Sequence, residues 1–545
     1  MAAKFPARSN AAAFLAALAL LLAANPLSAR KFYRDDPLKA LPPSRPVTSA
    51  LSRKLSEYYD FFHHTLFRPG ERTTASRPFP AQGVNTLGEV LDTSWYTSRH
   101  YQQRMTIEEL IRGPGRDNAP SPSGPLKVIA AKTEGVTPGF TIEDERGRRY
   151  IVKFDPRTNP EMASAADVVS SHFFYALGYH VPENYILYFQ PERLTVAPNA
   201  TLTDADGNHR KMTSQDIAEI LLRVPQDPER GYRAIASLFI RGRILGPFRY
   251  YGTRRDDPND IVPHEHRRDL RGLFVFAAWL GHNDVKSLNS LDTIVEENGI
   301  PALRHYLLDF GATLGSDSFV AKSPRAGNEY LFAMKPAAAQ LFSLGFYLPR
   351  WARAEYPKLP AAGNFEWELF DPERWKPNYP IPSFENRLPD DEFWAARQVM
   401  AFTDDEIRAL VRTGQYSDPE AEAWIVECLM RRRDKIGRAF FSKVFPLDRF
   451  RVESGRLAFE DLGVTQQLAA PRNYTVQWFR FDNDAETKTP LSGETMLPLP
   501  RAVASAAAGE YFAAEIHAGD PTKRVTVYVR KQPAQVEVVG IDRAW

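Results

Sequence analysis

The sequence predicts an α+β protein, and three changes of hydrophobic period carry that prediction. Between residues 126 and 190, short alternating runs surround a single helical run. From 270 to 281, and again from 389 to 445, apolar residues recur at helical spacing. After about 450 the period returns to two, which predicts a small C-terminal β-sandwich-like domain. At 545 residues the chain has room for roughly two to four domains. Lys and Arg number 69 and Asp and Glu 67, so no basic surplus argues for nucleic acid. One cysteine, Cys428, excludes an internal disulfide.

Residues 1–29 read as a secretory signal peptide. Lys4 and Arg8 precede the apolar run Ala11 to Ala24, and cleavage is expected after Ala29. The run is short for a membrane span, and no later run is long enough. The expectation is an exported chain, periplasmic or extracellular, with an uncleaved anchor as the alternative.

Residues 30–125 form an irregular arm. A helical patch between Leu51 and Phe67 carries Tyr58, Tyr59, Phe61 and Phe62, read as packing against the main body. Residues 113–125 are rich in Gly, Pro and Ser and read as a connector. Strands follow at Leu126 to Ala131, Phe140 to Asp144 and Arg149 to Phe154, with Gly135 and Gly139 in the first turn. Bare backbone N–H groups at such a turn suit phosphate oxygens; an ordinary hairpin turn fits as well. Lys153 lies inside an apolar strand, where a lone ammonium is costly to bury. On local evidence it faces water from an edge strand, and Glu161 favours the N-terminus of the next helix, Pro160 to Leu177.

Tyr185 to Phe189 reads as a strand, and residues 191–262 as an elaborated region with a hairpin tip at Asp204 to Asn208. His264 and His266 lack zinc spacing. A loop-fastening or substrate-facing role is expected there, with Arg254 or Arg267 meeting anionic groups. The helix from Leu270 stops at Gly281 and gives way to His282, Asn283, Asp284, Lys286 and Asn289. The strand Tyr306 to Leu308 delivers Asp309, Phe310 and Gly311. Hard oxygen groups on a short frame are how a divalent metal and a phosphate are gripped.

In this order the pieces resemble the protein-kinase-like superfamily, whose pattern is H-R-D-x-x-x-x-N followed by D-F-G. His282-Asn283-Asp284 stands in the first place, Asn289 follows Asp284 by five, and Asp309-Phe310-Gly311 closes the set. Asn283 replaces the usual Arg, and the gap from Asn289 to Asp309 is long. Both departures point to the atypical branches, of HipA, CotH or secretory-pathway type. The resemblance implies a bilobal fold: a small β-rich lobe at 126–190 with one helix, and a larger mainly helical lobe at 191–450 with insertions. The arm at 30–125 and the β domain at 451–545 lie outside it. It further implies a phosphotransferase using ATP, or another nucleotide, with Mg²⁺ or Mn²⁺. Lys153, Gly135 and Gly139 would hold the nucleotide, and Glu161, with Asp167 in reserve, would pair with Lys153 and orient it. Asn289 and Asp309 would take the metal, and Asp284 would serve a hydroxyl acceptor on a protein, sugar or lipid. The alternatives are a nucleotidyl transferase in the same pocket, or a silent envelope scaffold docking through its C-terminal β domain.

Overall fold

The computed structural model describes residues 30–70, 78–132, 138–203, 208–334, 348–491 and 497–545, with single positions between 335 and 347. The expected signal peptide, Gly135 and most of the tip at 204–207 lie outside the described residues.

A short helix, α1 (Ile107–Arg112), precedes the first sheet and is started by a reciprocal Thr106–Glu109 cap. The sheet contains β1 (Leu126–Lys132), β2 (Gly139–Glu143), β3 (Arg149–Phe154), β4 (Asn184–Phe189), β5 (Leu194–Thr203), β6 (His209–Lys211), β7 (Gln226–Asp227) and β8 (Gly231–Leu238). Its order is β4-β8-β3-β2-β1-β5-β6, with β7 paired to β8. Only the β1–β5 pair among these is parallel. Along β3, Tyr150, Val152 and Phe154 enter a core with Phe140, Ile142 and Leu187. Strand alternation therefore turns Lys153 to the opposite face. The sheet does not end at residue 190. β5, β6 and β8 belong to it, so residues 191–238 are part of this layer and not an elaboration of the helical region. Pairing of β8 between β3 and β4 is non-local, which periodicity does not reveal.

Between β3 and β4 lies α2 (Met162–Ala176), buried along nearly its whole length. Its Val169, Phe173 and Phe174 join the large helical core rather than the sheet core. The sheet core is closed instead by α3 (Ser214–Leu221), through Ile217, Ile220 and Leu221. The large core is built around α4 (Arg268–Leu280), all thirteen of whose residues are buried. Around it pack α5 (Pro389–Met400), α6 (Asp404–Arg412) and α7 (Pro419–Phe441). The Trp279 indole donates to the Leu429 carbonyl at 2.9 Å, tying α4 to α7. Gly281 ends α4 at φ 66°, a left-handed position that favours glycine.

A three-stranded sheet follows: β9 (Arg243–Gly246), β10 (Ser290–Glu297) and β11 (Ile300–Leu307), in the order β11-β10-β9. β10 and β11 form a hairpin turned at Asn298-Gly299, both at positive φ.

The C-terminal part begins with the hairpin β12 (Leu447–Glu453) and β13 (Arg456–Asp461). One five-stranded antiparallel sheet follows, of β14 (Thr475–Asp482), β15 (Thr487–Pro490), β16 (Tyr511–His517), β17 (Val525–Lys531) and β18 (Val536–Arg543). The expected sandwich is thus a single sheet with two unlike covers. Leu447 and Leu457 of the hairpin pack with Trp478, Phe512 and Val527. On the other face Phe32 of the arm packs with Phe481, Tyr511 and Tyr528. The second layer comes from the start of the chain, so strand counting near the C-terminus misses it. Among the described residues no helix is long and apolar enough to cross a membrane.

Candidate active site

The β10–β11 hairpin explains the long gap between the two polar motifs. Ser290 pairs with Leu307, so Asn289 and Leu308 face each other at the open end. The Leu308 N–H donates to the Asn289 carbonyl at 2.9 Å. Asn289 and Asp309, twenty positions apart in the chain, leave the same edge of one ladder. The Asn289 amide Nδ2 donates to the Asp284 carbonyl at 2.8 Å and to its Oδ2 at 3.0 Å. Lys286 Nζ lies 3.0 Å from the same Oδ2, and Asn378 Nδ2 donates to Oδ1 at 3.1 Å. No described hydrogen bond uses Asn289 Oδ1, so an oxygen remains for a cation.

Facing this end is Lys153. Its Nζ lies 2.8 Å from Asp309 Oδ1 and 3.8 Å from Asp167 Oδ2. Burial alone would lower the ammonium, but the two carboxylates outweigh it and hold it charged. Lys153 holds the Asp309 carboxyl below the usual range. Asp309 sits at φ 60°, ψ 64°, the left-handed region that Asp tolerates better than most residues. Its side chain keeps 44% exposure, and that of Lys153 30%. Asp167 is shut in at 2%, accepts from Asn184 Nδ2 at 3.0 Å, and is pushed up to about 6 by burial.

Aromatic rings lock these parts together. Phe310 stacks on Phe174 of α2 with centroids 4.9 Å apart, and His282 meets both rings at 5.7 and 5.8 Å. Burial depresses His282 to about 3, so its ring is a neutral packing element. Behind them the buried Lys322 Nζ donates to the Gly281 and Ala312 carbonyls, both at 2.7 Å, and to Asn283 Oδ1. One ammonium thereby fixes the start of the Asp284 loop against the turn after Asp309. Lys322 lies in a loop-rich stretch, and no periodic signal marks it.

The glutamate expected beside Lys153 is elsewhere. Glu161 is the first residue ahead of α2, at φ 69°. Its carboxylate accepts from the Ser417 N–H at 2.8 Å and approaches Arg233 at 3.9 Å. The reserve, Asp167, holds the place next to Lys153. Gly139 lies opposite Lys153 in the β2–β3 register, and a Cβ there would meet the Val152 carbonyl at 2.3 Å. That close strand approach accounts for the glycine without a phosphate. Arg254 and Arg267 are committed to Asp292 and Asp269, both at 2.7 Å, and are buried fasteners. His264 bonds Asp260 at 2.8 Å. Among the described residues no cluster of three or more His, Cys, Asp or Glu is arranged to hold a metal. Asp309 and the Asn289 amide carry oxygens of the kind a hard cation takes, at one end of the β10–β11 hairpin.

No family model matches the chain, and no curated protein matches it. Solved structures similar to parts of it include two kinases. The Helicobacter pylori proinflammatory kinase CtkA is 12% identical, with 57% of this chain and 93% of that chain covered at a TM-score of 0.30. The Golgi casein kinase is 9% identical, with 59% and 74% covered at a TM-score of 0.28.

Proposed function

We propose that the chain is a kinase-like phosphotransferase that moves a phosphoryl group from a nucleotide to a hydroxyl acceptor. One observation carries the reading: Lys153 is held by two acids at the open end of the hairpin that Asn289 and Asp309 leave, where Asn289 also holds Asp284. A cation that is charged, paired and still open to water is ready to meet phosphate oxygens. A bound divalent cation would supply charge neutralisation on those oxygens. Asp309 and Asn289 would hold it, which requires the Asp309 carboxylate to be shared with or released from Lys153. Asp284, its carboxylate oriented by Asn289, Asn378 and Lys286, would accept or align the proton of the acceptor hydroxyl. Asp167 would keep Lys153 in place while its other partner changes. The acceptor would be a hydroxyl of a protein, sugar or lipid, and export remains part of the proposal.

The test is the melting temperature with ATP, with and without Mn²⁺ or Mg²⁺, for the wild type and Asp309→Ala. A ligand at a hundred times its Kd stabilises by about 2.7 kcal/mol. The expected result is a metal-dependent rise that the variant loses. No rise with any nucleotide rejects the reading and leaves a scaffold.

A further inference from the structure

The arm was expected only to pack, yet it reaches the loop that carries Asp284. The short helical turn Phe61–Phe67 is preceded by Asp60, whose residue exposure is 0%. The Asp60 carboxylate accepts from the Ser287 N–H at 3.0 and 3.1 Å and from the Ser287 hydroxyl at 3.0 Å. Ser287 is itself fully buried and lies midway between Asp284 and Asn289. No Arg or Lys forms an ion pair with Asp60 among the described residues. His64, one helical turn on, is its close neighbour at 3.2 Å, held neutral by burial. Tyr59 and Tyr251 join hydroxyls at 3.0 Å beside it, and Phe61 meets Phe332 edge-on.

Lys286 acts on Asp60 only from a distance, and a buried carboxylate with no ion-paired Lys or Arg is costly unless its hydrogen bonds compensate. Here those bonds serve one residue of one loop. The loop ends are already tied, by Lys322 near Gly281 and by the Asn289 carbonyl to Leu308. Between those ends Asn378 holds Asn283 and Asp284, and Asp60 holds Ser287, midway to Asn289.

We infer that Asp60 is a positioning residue of the transfer reaction: through Ser287 the arm sets the loop that presents Asp284 and Asn289. The inference rests on the phosphotransferase reading. It makes residues outside the kinase-like part a working piece of the site. Nucleotide phosphates would still meet Lys153 and Asp309, which Asp60 does not touch.

The test uses the full chain with ATP and Mn²⁺, water serving as acceptor, and compares Asp60→Ala and Ser287→Ala with the wild type. Alanine removes both acceptor oxygens, whereas an asparagine oxygen would still serve the Ser287 N–H and hydroxyl. Turnover of phosphate release should fall by roughly tenfold to a hundredfold in Asp60→Ala, as for a small misplacement of reacting groups. The KM for ATP and the ATP-dependent melting rise should stay near wild type. Ser287→Ala, which keeps the backbone bond, should lose less, and the double variant little more than Asp60→Ala alone. Wild-type turnover in Asp60→Ala overturns the inference and leaves the phosphotransferase reading standing. Loss of the melting rise together with turnover also overturns it, because Asp60 would then support the whole fold. If Asp60→Ala does not fold, wild-type turnover in Ser287→Ala overturns it. A wild type with neither melting rise nor turnover fails at the reading itself, and the inference falls with it.

Discussion

The two large sheets each carry a cation on one face, and they treat it differently. On β17 of the C-terminal sheet Arg530 is buried at 7% and surrounded by fixed groups. It donates to the Tyr33 carbonyl at 2.8 Å and the Asp36 carbonyl at 2.9 Å, and it pairs with Glu537 on the next strand. Two of its partners are backbone carbonyls of the arm, so it fastens the arm to the sheet. On β3 of the first sheet Lys153 has two acids from two separate elements, and both it and Asp309 keep contact with water. A cation with settled backbone partners is a rivet. A cation shared between acids at an open edge is available to a ligand. The same residue class thus serves stability in one layer and, under the phosphotransferase reading, chemistry in the other.

The largest effect expected from this contrast falls on the C-terminal sheet. Trp478 is fully buried with Val476, Phe512 and Val527. Truncation to Ala should cost about 3–5 kcal/mol in unfolding free energy. Denaturant unfolding measures it, and the ATP-dependent melting rise should survive in the folded fraction. A variant that keeps its stability, or loses the nucleotide effect, breaks the division of labour between the sheets.

How far the sequence reveals this site depends on whether a residue's signal is local. Lys153, Asp284, Asn289 and Asp309 are selected by a motif order that resembles the kinase-like pattern, and the structure brings Asn289 to Asp284 and Lys153 to Asp309. The choice of Glu161 over Asp167 fails for a geometric reason. The two lie six residues apart, about 1.7 helical turns, and so face different sides. Only the packing of α2 on the turn after Asp309 decides which side meets Lys153. Asp60 does leave a trace: an acid between aromatics in Tyr58-Tyr59-Asp60-Phe61-Phe62 must find donors if the segment is buried. Its partner is 227 positions away, and no period reports that distance. The pairing of β8 and the docking of Phe32 on the last sheet are non-local in the same way.

A smaller effect sharpens the charge contrast. Burial raises Asp167 from 3.8 to about 6 in the folded protein. Between those pH values the folded state holds a proton that the unfolded state has released. Stability therefore falls as pH rises from about 4 to about 6 and is level above that. Two pKa units correspond to about 3 kcal/mol. Asp167→Asn has no such proton, so the wild-type stability minus the variant's should decline by about that amount across the window. Urea unfolding at stepped pH gives the difference curve, in which titrating groups away from Lys153 and Asp309 cancel. A flat difference would mean that Asp167 is not the shut-in partner of Lys153.

The smallest effect concerns Glu161, and it separates the two acids of α2. In Glu161→Gln the amide oxygen still accepts from the Ser417 N–H. Arg233 keeps its bonds to the Gly414 and Gln415 carbonyls, to Ser164 and to Tyr188. The ion pair lost is long, at 3.9 Å, so the cost should stay below about 1 kcal/mol. The metal-dependent melting rise with ATP should match wild type. Loss of that rise in Glu161→Gln, with Asp167→Asn unaffected, would exchange the roles of the two residues and require α2 to turn on its axis. The packing of Phe174 on Phe310 and His282 opposes such a turn.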